Sequence, residues 1–362
     1  MPSPVSTRFC RFAAHVLFAG AAIWLSIQPF TAQRASAQVS VQSQAPALTV
    51  DRDPVRSPDG ELPARPTQRK EVEGYVLHTD VDEVSLNCTV LEGNRLVSDL
   101  KKENFQVSED GVRQTLISFQ HVDLPVSIAL VVDNSGSMGR KRQAVNKSTL
   151  DLIQASNPQD EAFVVNFSDE AIIDQDFTSD VSKLRDGLSH FESRGATALY
   201  DAVVASADKL VSDAKRPKQV LILITDGEDN ASTGYDREQT IRRVQQLSGP
   251  VIYTIGLLFG DEVSHSEQRS ARRALEALST ETGGMAFFPK NIGEIDQIAA
   301  EVARDIRSQY TLGYHSTKPT TEPGFRRVEV TAEGKGHGKL TVRTRTGYYP
   351  VARVGKYTAP LR

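Results

Sequence analysis

The stretch that decides the fold is Val126-Ser127-Ile128-Ala129-Leu130-Val131-Val132-Asp133-Asn134-Ser135-Gly136-Ser137-Met138-Gly139: an apolar run that stops at a carboxylate and turns through two hydroxyls. A run this continuous fits a strand covered on both faces, as in a parallel sheet between helices. In an open α/β sheet, the turn after such a strand lies at the carboxyl edge, where ligands bind. Asp133, Ser135 and Ser137 therefore share one turn, and Gly136 and Gly139 permit a backbone that lets alternate side chains converge.

Working outward, further apolar runs at 162–167, 220–224, 251–257 and 285–288 predict strands, separated by helical stretches. In one of these, over 199–211, Leu199, Val203, Ala207 and Leu210 fall near helical spacing. Residues 171–177 follow Phe167 after too short a gap for a crossover, which predicts an antiparallel edge strand. A last helix is expected over 292–308. The fold class is thus α/β, a doubly wound and mostly parallel sheet.

The flanks have a different period. Residues 72–122 alternate in short runs, with Phe105 and Val107 ahead of an Asp110-Gly111 turn and another run at 116–119. Strand character returns at 310–314, 326–331 and 340–344, with turns at Gly334, Gly336 and Gly338. The second set is too short to bury a core alone, so the two sets are expected to form one small accessory antiparallel β domain. The expected organisation is 1–37 signal peptide, 38–71 linker, 72–123 small β domain, 124–309 α/β domain, 310–352 C-terminal strands packing with the N-terminal β unit, and 353–362 tail.

Composition excludes several classes. With 42 Lys plus Arg against 46 Asp plus Glu, the net charge of −4 leaves no basic footprint for phosphate backbones, so nucleic acid is not an expected partner. Nucleotide hydrolysis is not expected either, because no Gly-x-x-x-x-Gly-Lys stretch occurs. Arg8 and Arg11 precede an apolar run over 12–27, and Ala35-Ser36-Ala37 supplies a small-x-small cleavage signal, so an exported, secreted or cell-envelope location is expected. Membrane contact would follow only if that segment stays uncleaved. Residues 38–71 carry Pro46, Pro54, Pro58, Pro63 and Pro66 among polar residues and read as a spacer. Removal of Cys10 with the leader leaves Cys88 alone, without an internal disulfide partner, in an alternating run that reads as buried.

The candidate chemistry comes from three loops. The run at 220–224 ends in Thr225-Asp226-Gly227-Glu228-Asp229, and Gly195-Ala196-Thr197-Ala198-Leu199 puts a threonine at an expected helix start. Asp133, Ser135, Ser137, Thr197 and Asp226 are then oxygen donors at one sheet edge, joined by no His or Cys. Oxygen-only ligation favours Mg²⁺, with Mn²⁺ or Ca²⁺ also suited, over zinc. Glu228 and Asp229 read as an acidic loop facing solvent, and His265 as a surface group. Arg242, Arg243, Arg272 and Arg273 read as solvated helix faces, and Tyr348 and Tyr349 as packing for the terminal strands.

Asp-x-Ser-x-Ser after the first strand, Gly-x-Thr-Ala-Leu-Tyr-Asp later and Thr-Asp-Gly after a fourth strand together resemble the von Willebrand factor type A domain, in its exported bacterial form. The resemblance implies a Rossmann-like strand order of 3-2-1-4-5-6 and a metal-ion-dependent adhesion site. It further implies that Ser135 and Ser137 hold the metal directly, Thr197 does so when a ligand is engaged, and Asp133 and Asp226 act through water. The implied function is non-enzymatic adhesion, in which a protein partner supplies a carboxylate to the metal. The alternative is a metal-dependent hydrolase or phosphatase using Asp133 and Asp226. Against it, Ser135 stands where an aspartyl-phosphate enzyme would carry a second Asp, and Gly-x-Ser-x-Gly is absent.

Overall fold

A computed structural model describes residues 83–350 except 156, 191–192, 248 and 260–263. The expected leader, linker and 353–362 tail lie outside the described residues. Five strands come first: β1 (Glu83–Glu92), β2 (Arg95–Leu96), β3 (Phe105–Glu109), β4 (Val112–Gln114) and β5 (Leu116–Gln120). The α/β layer follows as β6 (Val126–Asp133), α1 (Arg142–Gln154), β7 (Glu161–Phe167), β8 (Ala171–Thr178), α2 (Val181–Ser189), α3 (Leu199–Asp213), β9 (Lys218–Thr225), α4 (Arg237–Leu247), β10 (Val251–Gly256), α5 (His265–Thr282), β11 (Ala286–Phe287) and α6 (Ile295–Arg307). The chain closes with β12 (Tyr310–His315), β13 (Arg326–Ala332), β14 (Leu340–Arg343) and β15 (Gly347–Tyr348).

The long apolar runs became strands because both faces are covered. Every residue of β6 is buried. Ile128, Leu130 and Val132 pack with Val145 and Leu152 of α1, Leu184 and Leu188 of α2, and Ile298, Val302 and Ile306 of α6. Ala129 and Val131 point the other way, into Leu199, Val203 and Leu210 of α3, Val244 of α4, and Leu275 and Leu278 of α5. The period of two therefore assigns alternate residues to different helix layers. Burying each such Val or Leu contributes roughly 1.5–3 kcal/mol, so a charge at any of these positions would be severely destabilising.

The sheet order is β11-β10-β9-β6-β7-β8. Numbered from β6 and read from the other edge, it is 3-2-1-4-5-6, the order the resemblance implied. β7 and β8 pair antiparallel, and the remaining pairs are parallel. The register sets Val132 beside Ile224, which brings the end of β6 next to Thr225 and Asp226.

The accessory unit is a pair of antiparallel sheets, β14-β1-β12-β5 with β2 beside β1, and β15-β13-β3-β4. N- and C-terminal segments share one sheet, with Leu86 opposite Leu312 and Cys88 opposite Tyr310. Alternate residues Val84, Leu86, Cys88 and Val90 enter a core with Phe105, Val107, Tyr310, Leu312 and Tyr314. Asp110 (φ 48) and Gly111 (φ 79) both take left-handed backbone, as a tight two-residue hairpin turn requires. Burial pushes the Cys88 thiol up to about 12, so it is a packing group and not a nucleophile. Tyr348 is buried, and its hydroxyl donates to the buried Glu109 carboxylate (2.8 Å), as does that of Tyr314 (2.7 Å).

Candidate metal centre

The centre is built on the end of β6. Asp133 is the last strand residue and is wholly buried, deeper than a place on the turn suggested. Its Oδ1 accepts from the Ser135 backbone N–H (2.8 Å) and its Oδ2 from the Thr225 hydroxyl on the neighbouring strand (2.5 Å). The chain then winds through a short 3-10 helix, Gly136–Arg140, whose one buried side chain is Met138. Met138 belongs to the core beneath and pins the turn to it. Ser135 is buried, whereas Ser137 is exposed at the mouth.

Four of the five sequence-selected donors are linked directly. Ser135 Oγ and Ser137 Oγ lie 3.2 Å apart, and Ser137 Oγ donates to Asp226 Oδ1 at 2.7 Å. Asp226 is buried one residue past the end of β9. Thr197, also buried, approaches on a third loop: its Oγ1 is 3.8 Å from where a Cβ on Gly227 would stand. A side chain at Gly227 would begin to fill the gap between Thr197 and the end of β9.

Backbone hydrogen bonds tie the three loops together. Asn134 N–H donates to Phe167 O (2.6 Å), Arg194 N–H to Asn134 O (3.1 Å) and Ala198 N–H to Ser168 O (2.7 Å). Asn230 clasps Thr197 from both sides, with Asn230 Oδ1 accepting from Thr197 N–H (2.8 Å) and Asn230 N–H donating to Thr197 O (3.0 Å). Gly195 has φ +85, and a Cβ there would stand 2.3 Å from Asp169 Oδ2, so this turn admits only glycine. Asp169 meanwhile accepts from Ala196 N–H at 2.8 Å.

The two buried carboxylates lie beside two buried cationic side chains. Burial raises the Asp133 pKa, partly countered by hydrogen bonds from Thr225 and Ser135, with the nearby Asp226 charge adding to the rise. Arg142 is wholly buried at the start of α1 and donates to Asp133 O (2.8 Å). Burial pulls its guanidinium down to about 10 against the pull of Asp133 and Asp174. Lys141 reaches Asp226 Oδ2 with its ammonium at 2.7 Å.

The donors fit a hard divalent ion. They are hydroxyl and carboxylate oxygens, the ligand type that hard cations take. Hydroxyl oxygens carry lone pairs as well as a proton, so Ser135, Ser137 and Thr197 are each able to ligate a cation.

Several neighbours differ from expectation or were not singled out. Asp229 is half-buried, not a solvent-facing acid: its Oδ1 accepts from the Leu199 backbone N–H (2.8 Å) and so caps α3 from a loop distant in sequence. Glu228 accepts from Ser270 Oγ at 2.5 Å. Arg243 pairs with Asp208 (2.7 Å), and Arg272 lies over the Phe288 ring at 3.8 Å, so neither is merely a solvated face. Lys141, Arg142 and Asn230 had no signature of their own, and Thr225 stood only as the first residue of Thr-Asp-Gly, because their roles arise from contacts between strands and loops. His265 is exposed in the first turn of α5.

Comparison with known proteins bears on this α/β layer. Residues 128–228 match the von Willebrand factor type A domain model. The layer has the von Willebrand factor type A fold. The human inter-alpha-trypsin inhibitor heavy chain H4 is 25% identical over 242 residues, covering 61% of this chain and 25% of that protein. The mouse calcium-activated chloride channel regulator 3A-1 is 28% identical over 170 residues, covering 44% of this chain and 17% of that one. This chain thus spans a quarter or less of the length of these curated relatives. Among solved structures, a von Willebrand factor type A protein from Catenulispora acidiphila aligns with a TM-score of 0.42 at 13% identity, covering 74% of this chain and 75% of that one. Among the described residues, no helix is long and apolar enough to cross a membrane.

Proposed function

We propose that this chain is an exported, non-enzymatic binding module that takes hold of a carboxylate on a protein partner through a divalent cation, Mg²⁺ in the first instance. Ser135, Ser137 and Thr197 would hold the ion, with Asp133 and Asp226 beneath supplying charge. The carrying observation is that the Ser135 and Ser137 hydroxyls of one turn meet the buried Asp226 carboxylate of another, with buried Asp133 at the base of the same turn. A divalent ion held mainly by neutral oxygens supplies an electrophilic open position to an incoming acid group. The chain's own residues do the rest: Met138 anchors the turn, Asn230 and Asp229 fix the Thr197 loop, and Thr225 and Ser135 orient Asp133.

The hydrolase alternative is disfavoured by the same geometry. A nucleophilic Asp133 would need an oxygen free at the surface, but both oxygens accept hydrogen bonds and the side chain is wholly buried. The relatives with similar sequences include an inhibitor heavy chain and a channel regulator, proteins whose names denote action on other proteins, which is consistent with a binding role.

The test uses Asp133→Asn, which preserves shape and removes charge. Mn²⁺ uptake by the full chain is expected to fall about 10–100-fold. Magnesium-dependent capture of proteins from envelope and culture fractions should be lost in parallel with EDTA treatment. Equal Mn²⁺ binding by wild type and variant would overturn the reading.

A further inference from the structure

The buried charges at the carboxyl edge already balance without a metal: Asp133 and Asp226 face the Arg142 guanidinium and the Lys141 ammonium, all four nine-tenths buried or more. The two cations are not equivalent. Arg142 is spread over Asp133 O, Asn166 Oδ1 and Leu188 O and is locked beneath the turn. Lys141 is a point charge on a flexible stem, seated at the junction between the 3-10 turn and α1. Its Nζ lies 2.7 Å from Asp226 Oδ2, while Ser137 Oγ lies 2.7 Å from Asp226 Oδ1. The carboxylate that a divalent ion beside Ser137 would draw on is thus already shared with an ammonium.

Two like charges on one buried carboxylate repel, and the repulsion is strong where water is excluded. Lys141 has somewhere else to go. Its Nζ already donates to Leu257 O at 3.4 Å and lies 5.4 Å from the Phe259 ring centre, so a modest stem rotation off Asp226 leaves the ammonium with a carbonyl and an aromatic face. Both alternatives lie just past the end of β10, the next strand along the sheet edge.

We infer that Lys141 is a built-in competitor for the metal position: its ammonium holds Asp226 when no divalent ion is bound and swings toward Leu257 and Phe259 when one enters. This rests on the metal-binding reading above. It sets the ion affinity below what the oxygen donors alone would give and links occupancy to the segment following β10. It also keeps the centre compact without metal, because Asp226 is not left buried and unpaired.

The experiment is Mn²⁺ titration of the full chain, followed by electron paramagnetic resonance of the free ion, for wild type, Lys141→Met, Lys141→Gln and Lys141→Arg. Met and Gln variants are expected to bind Mn²⁺ about tenfold or more tightly than wild type, and Arg within about threefold of it. Gln keeps an amide donor for Asp226 and guards against a folding defect in Met. Melting temperatures supply the second readout: Met and Gln variants should melt lower without metal and gain more from saturating Mn²⁺. Uptake by wild type with equal or weaker binding in Met and Gln overturns the competitor role and leaves the metal reading standing. No uptake by any of the proteins overturns both.

Discussion

The two ends of the central strands carry buried acids of the same kind in opposite surroundings. At the amino end, Asp160 accepts from Val126 N–H (2.8 Å) and Asn157 N–H (3.0 Å) and pairs with Arg307 (3.1 Å). Glu161 Oε1 accepts from Ser127 Oγ and Lys215 N–H, each at 2.7 Å. These partners are mostly fixed N–H donors, which have no lone pair to offer a cation, so this end is closed on itself. At the carboxyl end, Asp133 and Asp226 also accept from the Ser135 N–H and the Lys141 ammonium, but half of their donors are hydroxyls, those of Thr225 and Ser137, with Ser135 Oγ beside them. Hydroxyls can reverse their role. The difference teaches that burial of carboxylates does not mark a site; the kind of group facing them does.

That contrast can be broken at either end. The largest expected effect is at the closed end: Asp160→Ala leaves two backbone N–H groups short of an acceptor and Arg307 with Asp123 as its remaining carboxylate, and should cost about 3 kcal/mol by urea denaturation. Mn²⁺ affinity should not change, and a parallel loss of metal uptake would show that the ends are not independent. At the open end, Ser137→Ala should lower Mn²⁺ affinity by roughly tenfold with little change in stability, because Ser137 is exposed and its loop is held by Met138. A large fall in urea midpoint with unaltered uptake would make that hydroxyl structural.

The last test concerns pH. Burial at the closed end holds Lys218, whose ammonium donates to Ile306 O, down to about 8 from its ordinary 10.5. The unfolded chain then binds the extra proton between these values, so the Lys218 contribution is full above 10.5 and is lost as pH falls through 8. Wild-type stability should therefore rise relative to Lys218→Met across this window, by at most about 1.4 kcal/mol per pH unit. Parallel stability curves for the two proteins would remove Lys218 from the ledger of that end.

Much of the fold was legible because its signals are local. The runs at 126–132 and 220–224 appear as β6 and β9 within a residue or two, since a strand buried on both faces must be apolar throughout. The expected antiparallel edge at 171–177 is β8, and its gap from β7 is a matter of chain length. The helix expected over 292–308 splits into a short 3-10 turn, Ile292–Glu294, and α6, because Asn291 caps the turn through Gly293 N–H before the apolar stripe of α6 begins. The oxygen donors were legible as residue types at turns. That Asp229 would cap α3 was not, because its partner lies about thirty residues earlier and only the folded loops bring them together.

By itself, the order of residues determined most of the strand and helix segments and which turns carry oxygen. Those properties follow from periodicity and side-chain chemistry, both written along the chain. Tertiary structure alone decided that Asp133 is sunk beneath the turn, that Asn230 grips the Thr197 loop and that Lys141 sits on Asp226. Each depends on the parallel pairing of β6 with β9 and on loops meeting across it, and a contact between distant segments has no period for a sequence to display.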